Sequence, residues 1–297
     1  MEQRETFMND NEQRPKAEEI EGEKLPYPAK QSDMKRQPDS DLSNYLAANK
    51  LKGKVAIVTG ADSGIGRAVA IAFCREGANV AIVYNENDTD AAETKRLCEA
   101  NGGKCLVIKS DVRYRQMCFD AVEKCVAEFG GLNILVNNAA FQKAQKNFED
   151  IEEEDLRRTF ETNILGYFFM AQAALPHLTK GDAIINTGSI VGRVGNPMLI
   201  DYTSTKGAIH SFTKSLATNL GEKEIRVNCV VPGPVWTPNI PGTMPIEEVE
   251  NFGHEVALKR PGQPEELAPA YVFLASEDGS FVTGCLLDVT GGKMSSD

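Results

Sequence analysis

KVAIVTGADSGIGRA, residues 54–68, starts as an unbroken apolar run, passes through a turn with glycines at 60, 64 and 66, and ends where an amphipathic stretch begins. The run reads as a buried strand and the amphipathic stretch as a helix over about 65–77. Between them, the glycines allow a tight turn, close approach of the backbone to a pyrophosphate, and close strand–helix packing. The helix N-terminus adds amide donors and partial positive charge. The spacing is G-x-x-x-G-x-G, not the commoner G-x-G-x-x-G, and by itself such a turn names no function.

Working outward, six more apolar runs read as strands: NVAIVY (79–84), KCLVIK (104–109), LNILVNN (132–138), DAIINTGS (182–189), IRVNCVVP (225–232) and GCLLDVTGG (284–292). Helical periodicity fills the intervals near 88–101, 114–129, 152–179, 201–221 and 264–276. Strands alternating with helices predict a doubly wound α/β fold, a seven-stranded parallel sheet flanked by helices. The interval 234–262 breaks the rhythm with four prolines before Glu247 and reads as a substrate loop. Residues 1–48 differ again. The first forty hold ten acidic and seven basic residues and four prolines, with apolar side chains only singly placed. They form an arm before a single domain at 49–297, either a disordered tail or an extended segment lying on its own or a neighbouring subunit. Leu25–Pro28 is its one part with enough apolar surface to dock.

The chain of 297 residues has a net charge of −11, which argues against a nucleic-acid surface. No apolar run is long enough to span a membrane and the N-terminus is charged, so a cytoplasmic protein is expected. Cys74, Cys98, Cys105, Cys118, Cys125, Cys229 and Cys285 form no C-x-x-C pair and read as reduced thiols, mostly buried. His177, His210 and His254 lie far apart, and no metal site is expected.

DYTSTKGAIH, residues 201–210, places Tyr202 and Lys206 on one helix face. That spacing is common, but it does not stand alone. The turn TGADSGIG, Asp111 in SDV, NNAA at 137–140, Asn163 in TNILG, Ser189 thirteen residues before Tyr202, and PGPVWT at 232–237 follow one another in order. Together they resemble the short-chain dehydrogenase/reductase family over roughly residues 50–292, with Ala140 in place of a usual glycine. The resemblance implies a Rossmann-type fold and a nicotinamide cofactor. It places that cofactor against Gly60, Asp62, Ser63, Gly64, Ile65 and Gly66 of the turn, Tyr84 and Asn85 after the second strand, and Asp111 and Val112. Further contacts would come from Asn138, Ala139, Ala140, Pro232, Gly233, Val235 and Thr237, and from Tyr202 and Lys206. It implies Asn163, Ser189, Tyr202 and Lys206 as catalytic residues, Asn163 holding a proton-relay water, and a homotetramer paired through long helices and the last strand.

The chemistry follows from the residue types. A free phenol ionises near pH ~10, so Tyr202 needs help to carry a proton, and an ammonium about 4 Å away could lower that value by up to about three units. Lys206 is expected to do this, Tyr202 to exchange a proton with a carbonyl or alcohol oxygen, and Ser189 to polarise that oxygen. A binding or structural protein on the same fold is the alternative, although neither tyrosine nor lysine is missing. Enoyl reductases of this fold usually have a wider Tyr-to-Lys spacing. The substrate is expected to be a small alcohol, ketone or aldehyde, in a pocket walled by 190–200 and by Trp236, Ile240, Met244 and Phe252. Asp62, Glu86 and Asp88 near the expected ribose site favour NAD over NADP, with Arg67 the counterargument.

Overall fold

The strand read from residues 54–60 is β1, Val55–Thr59, and all five of its residues are buried. Its side chains alternate between two cores, Val55 and Ile57 on one face of the sheet and Ala56 and Val58 on the other, as a strand covered on both faces requires. The computed structural model describes residues 14–293. The other strands are β2 (Asn79–Tyr84), β3 (Cys105–Lys109), β4 (Ile134–Asn137), β5 (Ala183–Thr187), β6 (Arg226–Pro232) and β7 (Leu286–Val289). They form one parallel sheet in the order β3-β2-β1-β4-β5-β6-β7. The order reverses between β1 and β4, which opens a crevice at the C-terminal ends of those two strands.

Helices α1 (Gly64–Arg75) and α2 (Asp88–Ala100) follow β1 and β2, and α3 (Arg115–Phe129) follows β3. The expected single helix over 152–179 is instead interrupted. It comprises α4 (Glu153–Phe160), a π turn (Glu161–Leu165), α5 (Gly166–Ala174) and a 3-10 turn (Leu175–His177). The π turn holds Asn163, whose amide bonds the backbone of Phe141; an inserted residue re-aims a side chain in this way. After α6 (Val191–Val194) comes α7 (Ile200–Leu220), the long helix carrying Tyr202 and Lys206. The 234–262 interval contains α8 (Asn239–Thr243) and α9 (Ile246–Val249), and α10 (Pro264–Ala275) leads to β7. Phe73 of α1 and Tyr271 of α10 belong to the core on one face of the sheet, and Val122 of α3, Met170 of α5 and Leu220 of α7 to that on the other. Among the described residues, no helix is long and apolar enough to cross a membrane.

Residues 14–48 have little regular structure, yet they lie along their own subunit. Arg14 pairs with Glu265 at 2.6 Å, the Asp39 amide donates to the Gln263 side chain at 2.9 Å, and Glu76 accepts from the Ala48 and Lys50 amides at 3.1 and 2.7 Å. Ile20 and Met34 are buried in a small core with Leu199, Trp236, Met244 and Val249. The segment's singly placed apolar side chains are gathered into two places, Ile20 and Met34 in this small core and Leu42 in the core that holds Phe73 and Tyr271. The part of the expected arm before residue 14 lies outside the described residues.

Candidate active site

A continuous cleft of about 360 Å³ opens at the switch point, between the glycine turn, the ends of β2 to β6 and the loop that carries α8. Gly60 and Gly64 adopt left-handed φ angles of 62° and 52°, and a Cβ on Gly66 would stand 2.2 Å from the Gly60 carbonyl oxygen. Only glycine lets α1 begin this close to the turn. Asn138 holds the turn from beneath, donating to the carbonyls of Thr59 and Gly60 at 3.0 and 3.1 Å. The Thr59 hydroxyl in turn accepts from the Asn138 and Ala139 amides. Ala140 keeps a negative φ, so the chain needs no glycine there. Thr237 packs on Gly64, while Pro232, Gly233 and Val235 line the same side.

At the other end of the cleft lie Asp62, Ser63, Ile65, Tyr84, Asn85, Asp111 and Val112. The Tyr84 hydroxyl donates to Asp88 at 2.8 Å, and Asp88 also accepts from Lys109 at 2.8 Å. Burial alone would raise the Asp111 carboxyl; hydrogen bonds from the Arg113 side chain and amide outweigh it and hold the carboxyl below its usual range. Arg67 is buried, not free to swing. Its guanidinium donates to the carbonyls of Asp62 and Asp90 and to the Thr94 hydroxyl, and lies 3.5 Å from the Asp90 carboxylate.

In the middle of the cleft, α7 presents Tyr202 and Lys206 beside Ser189, which follows β5. Enclosure pushes the Tyr202 phenol up to about 12, against a smaller opposite pull from the Ser189 hydroxyl. Lys206 is 1% exposed, and burial pushes its ammonium down to about 8. The expected depression of the phenol by Lys206 is not found in this state. The ammonium donates to the Thr187 carbonyl at 2.7 Å and stands 5.3 Å from the Tyr202 ring centre, so the loss of solvent dominates. Asn163 is buried, with both amide hydrogens used on the Phe141 carbonyl and the Thr205 hydroxyl at 2.9 and 3.0 Å. Its oxygen accepts from the Phe141 amide at 2.8 Å, which leaves one acceptor position.

These positions can be set beside known proteins. The family model described as Enoyl-(Acyl carrier protein) reductase matches residues 60–293. General stress protein 39 of Bacillus subtilis is 51% identical over 266 residues, 90% of this chain and 93% of that protein. The chain belongs to the short-chain dehydrogenase/reductase family. NADPH-dependent aldehyde reductase 1 of Arabidopsis thaliana is 46% identical over 274 residues, 90% of this chain and 95% of that protein. The crystal structure of a short-chain dehydrogenase from Burkholderia cenocepacia in complex with NADP has a TM-score of 0.77 at 32% identity, covering 82% of this chain and 98% of that one.

Within this short-chain dehydrogenase/reductase, one expected wall residue is misplaced. Trp236 is 1% exposed and turned away from the cleft, because a buried indole N–H needs an acceptor and finds it in the Arg36 carbonyl at 3.0 Å. Ile240, Met244, Phe252 and Leu199 do line the cleft, with Asn196 and Asn239 as polar neighbours. Sequence reasoning missed Thr187, which anchors Lys206, and Tyr27, Pro28 and Ala29 of the arm, which also line the cleft. A carbonyl has no signature in sequence. The arm residues had one signal, the apolar content of Leu25–Pro28.

Proposed function

We propose that this protein transfers hydride between a nicotinamide dinucleotide and the carbonyl or alcohol carbon of a small, partly apolar substrate. The observation that carries the reading is the meeting of Tyr202, Ser189 and Lys206 in the same cleft as the glycine turn. Gly66 without room for a Cβ, two left-handed glycines and the N-terminus of α1 together fit a pyrophosphate. When bound, the dinucleotide supplies the hydride. Tyr202 supplies the proton to the substrate oxygen, and Ser189 hydrogen-bonds that oxygen as negative charge gathers on it. Lys206 bonds the nicotinamide ribose, and Asn163, through its one remaining acceptor position, holds the water that returns a proton towards Lys206.

A phenol held near 12 is a proton donor at neutral pH. Carbonyl reduction uses this neutral form, and alcohol oxidation uses the phenolate. Asp62, Glu86 and Asp88 favour NAD(H) at the ribose end. Each has a cationic neighbour, however: Lys109 for Asp88, Arg158 at 3.7 Å for Glu86, and Arg67 for Asp62. The preference over NADP(H) is therefore small, within about tenfold.

A homotetramer is part of the same proposal. Leu156, Phe160, Leu165 and Phe168 are exposed along α4 to α5, and Phe281 is fully exposed beside the edge strand β7, the two surfaces expected to pair. Light scattering on the purified protein tests this, and a monomer at micromolar concentration rules it out. The catalytic reading is tested by following oxidation of reduced dinucleotide with aldehydes, ketones and an enoyl thioester. Turnover of carbonyls is expected. Turnover of the enoyl thioester alone would move the chemistry to the C=C reduction that the family model's description names, against the four-residue Tyr202–Lys206 spacing.

A further inference from the structure

We infer that residues Tyr27–Gln31 form a strap across the cofactor cleft, with Tyr27, Pro28 and Ala29 as binding residues for the adenosine–pyrophosphate part of the dinucleotide and Gln31 as the anchor that holds them there, so that the cofactor leaves only when the strap lifts. The inference rests on the proposed dinucleotide reading and adds to it residues that lie outside the fold's common core.

The strap is anchored on both banks of the cleft. On the substrate-loop side, the Leu25 amide donates to the Pro241 carbonyl at 3.0 Å, and the Lys24 ammonium donates to the Gly242 and Met244 carbonyls at 3.3 and 2.9 Å. A Cβ on Gly242 would come within 2.8 Å of the Ala29 Cβ, so strap and loop are in close contact. On the β2 side, the Asn87 side chain donates to the Ala29 carbonyl at 3.2 Å and the Gln31 amide to the Asp90 carboxylate at 2.7 Å. Tyr27, Pro28 and Ala29, between these anchors, face the cleft.

Gln31 ties the strap to the nucleotide turn itself. Its side-chain oxygen accepts from the Gly64 amide, the first of α1, at 2.9 Å, and its side-chain nitrogen donates to Ser40 at 3.2 Å. The residue is 3% exposed, and its partner Asp90 is the acid beside Arg67. Strap, turn and the Arg67 network therefore form one connected set, and a shift in one strains the others. One of the unpaired amides at the start of α1 is taken by the arm, leaving the later ones for phosphate oxygens.

Tyr27 supplies the surface a planar ligand needs. The residue is 41% exposed, and its ring meets Phe141 edge-on at 5.4 Å and lies under the Arg158 guanidinium at 5.1 Å. Arg158 also covers the Phe141 ring at 4.4 Å. The same guanidinium stands 3.7 Å from Glu86, which puts the Tyr27 ring at the ribose end of the cleft. An aromatic and guanidinium platform at that point suits a ribose or purine face.

The test uses the full-length protein and the reduced dinucleotide. Its dissociation rate is measured by stopped-flow displacement for wild type, Tyr27→Ala and Gln31→Ala, and trypsin cleavage after Lys30 and Arg36 is measured in wild type with and without dinucleotide. The expected results are dissociation at least about tenfold faster in both variants and at least about tenfold slower cleavage in the presence of dinucleotide. A purely structural arm would lower the melting temperature of the variants without changing either quantity. If wild type binds the dinucleotide but shows neither protection nor a change in dissociation, the strap is overturned and the proposed function stands. If wild type binds no nicotinamide dinucleotide, both fall. The protection measurement needs no variant, so misfolding of Gln31→Ala would not rescue the idea.

Discussion

The Lys206 ammonium donates to the Thr187 main-chain carbonyl at 2.7 Å while standing 5.3 Å from the centre of the Tyr202 ring. The last residue of β5 thus fixes the lysine, and the lysine is positioned by the sheet more than by its helix neighbour. A charge-assisted hydrogen bond of this kind contributes about 1.5–3 kcal/mol, enough to hold a buried, flexible side chain in one place. The same carbonyl accepts from the Tyr167 hydroxyl at 3.2 Å, which orients it further.

Tyr202→Phe removes the proton donor and keeps the ring. Activity should fall at least about a hundredfold, the low end for a general acid, while dinucleotide affinity stays within about twofold. Lys206→Ala should instead lower both turnover and dinucleotide affinity, since it empties a buried site beside the proposed ribose position. Steady-state rates and fluorescence titrations on the two variants check this. A Tyr202→Phe protein with most of its turnover would remove Tyr202 from the mechanism.

The titration of Tyr202 can be observed directly. Its folded value near 12 lies above the ordinary 10, so the neutral phenol persists where a free tyrosine would ionise. Ultraviolet difference absorbance of cofactor-free wild type minus Tyr202→Phe should show no phenolate between about pH 6 and about pH 10. Phenolate at neutral pH would mean that Lys206 outweighs burial.

These two residues also show how far sequence carries. Their helix, the seven strands and the glycine turn are local patterns of period 3.6 or 2 and of glycine spacing, so they can be read directly. The π turn cannot, because it depends on Asn163 meeting Phe141, 22 residues away. The same holds for the orientation of Trp236, which is decided by a carbonyl of Arg36, and for the sign of the Tyr202 shift, which is decided by enclosure. Gln31 lies in a charged segment with no period, and only the fold brings it to Gly64. Motif residues were legible as a set, whereas the contacts between distant segments that tune them were not.

His210 provides a test of stability. It lies one turn beyond Lys206, 7% exposed, where a Cβ on Gly188 would approach its ring nitrogen to 2.6 Å. Burial, and then the charges of Arg193, Lys206 and Lys214, push it from 6.5 down to about 4. The unfolded chain therefore binds this proton more tightly than the folded one. The stabilisation is complete above pH 6.5 and is lost as pH falls from 6.5 towards 4. Between about pH 7.5 and about pH 4.5, wild type should lose roughly 2–3 kcal/mol more than His210→Asn in urea unfolding. Equal losses would place the histidine in a solvated setting.

The remaining prediction concerns the dinucleotide. A 2′-phosphate needs a cation that is free to meet it, and the nearby candidates are already engaged. Arg67 is bound to the Asp62 and Asp90 carbonyls, Arg113 holds Asp111 at 2.6 Å, and Lys109 holds Asp88 at 2.8 Å. Arg158 lies over two aromatic rings and 3.7 Å from Glu86. Recruiting any of them would disturb an existing pair, which costs most at the buried Arg67 and less at the exposed Lys109–Asp88 pair and at Arg158, which stands 3.7 Å from Glu86. NADH should therefore bind more tightly than NADPH, by no more than about tenfold because the acids are themselves neutralised. Parallel fluorescence titrations of wild type and Arg158→Ala decide it. Tighter NADPH binding that is lost in Arg158→Ala would overturn the charge argument and identify Arg158 as the phosphate ligand, in line with the NADPH-dependent relative and the NADP-bound structure.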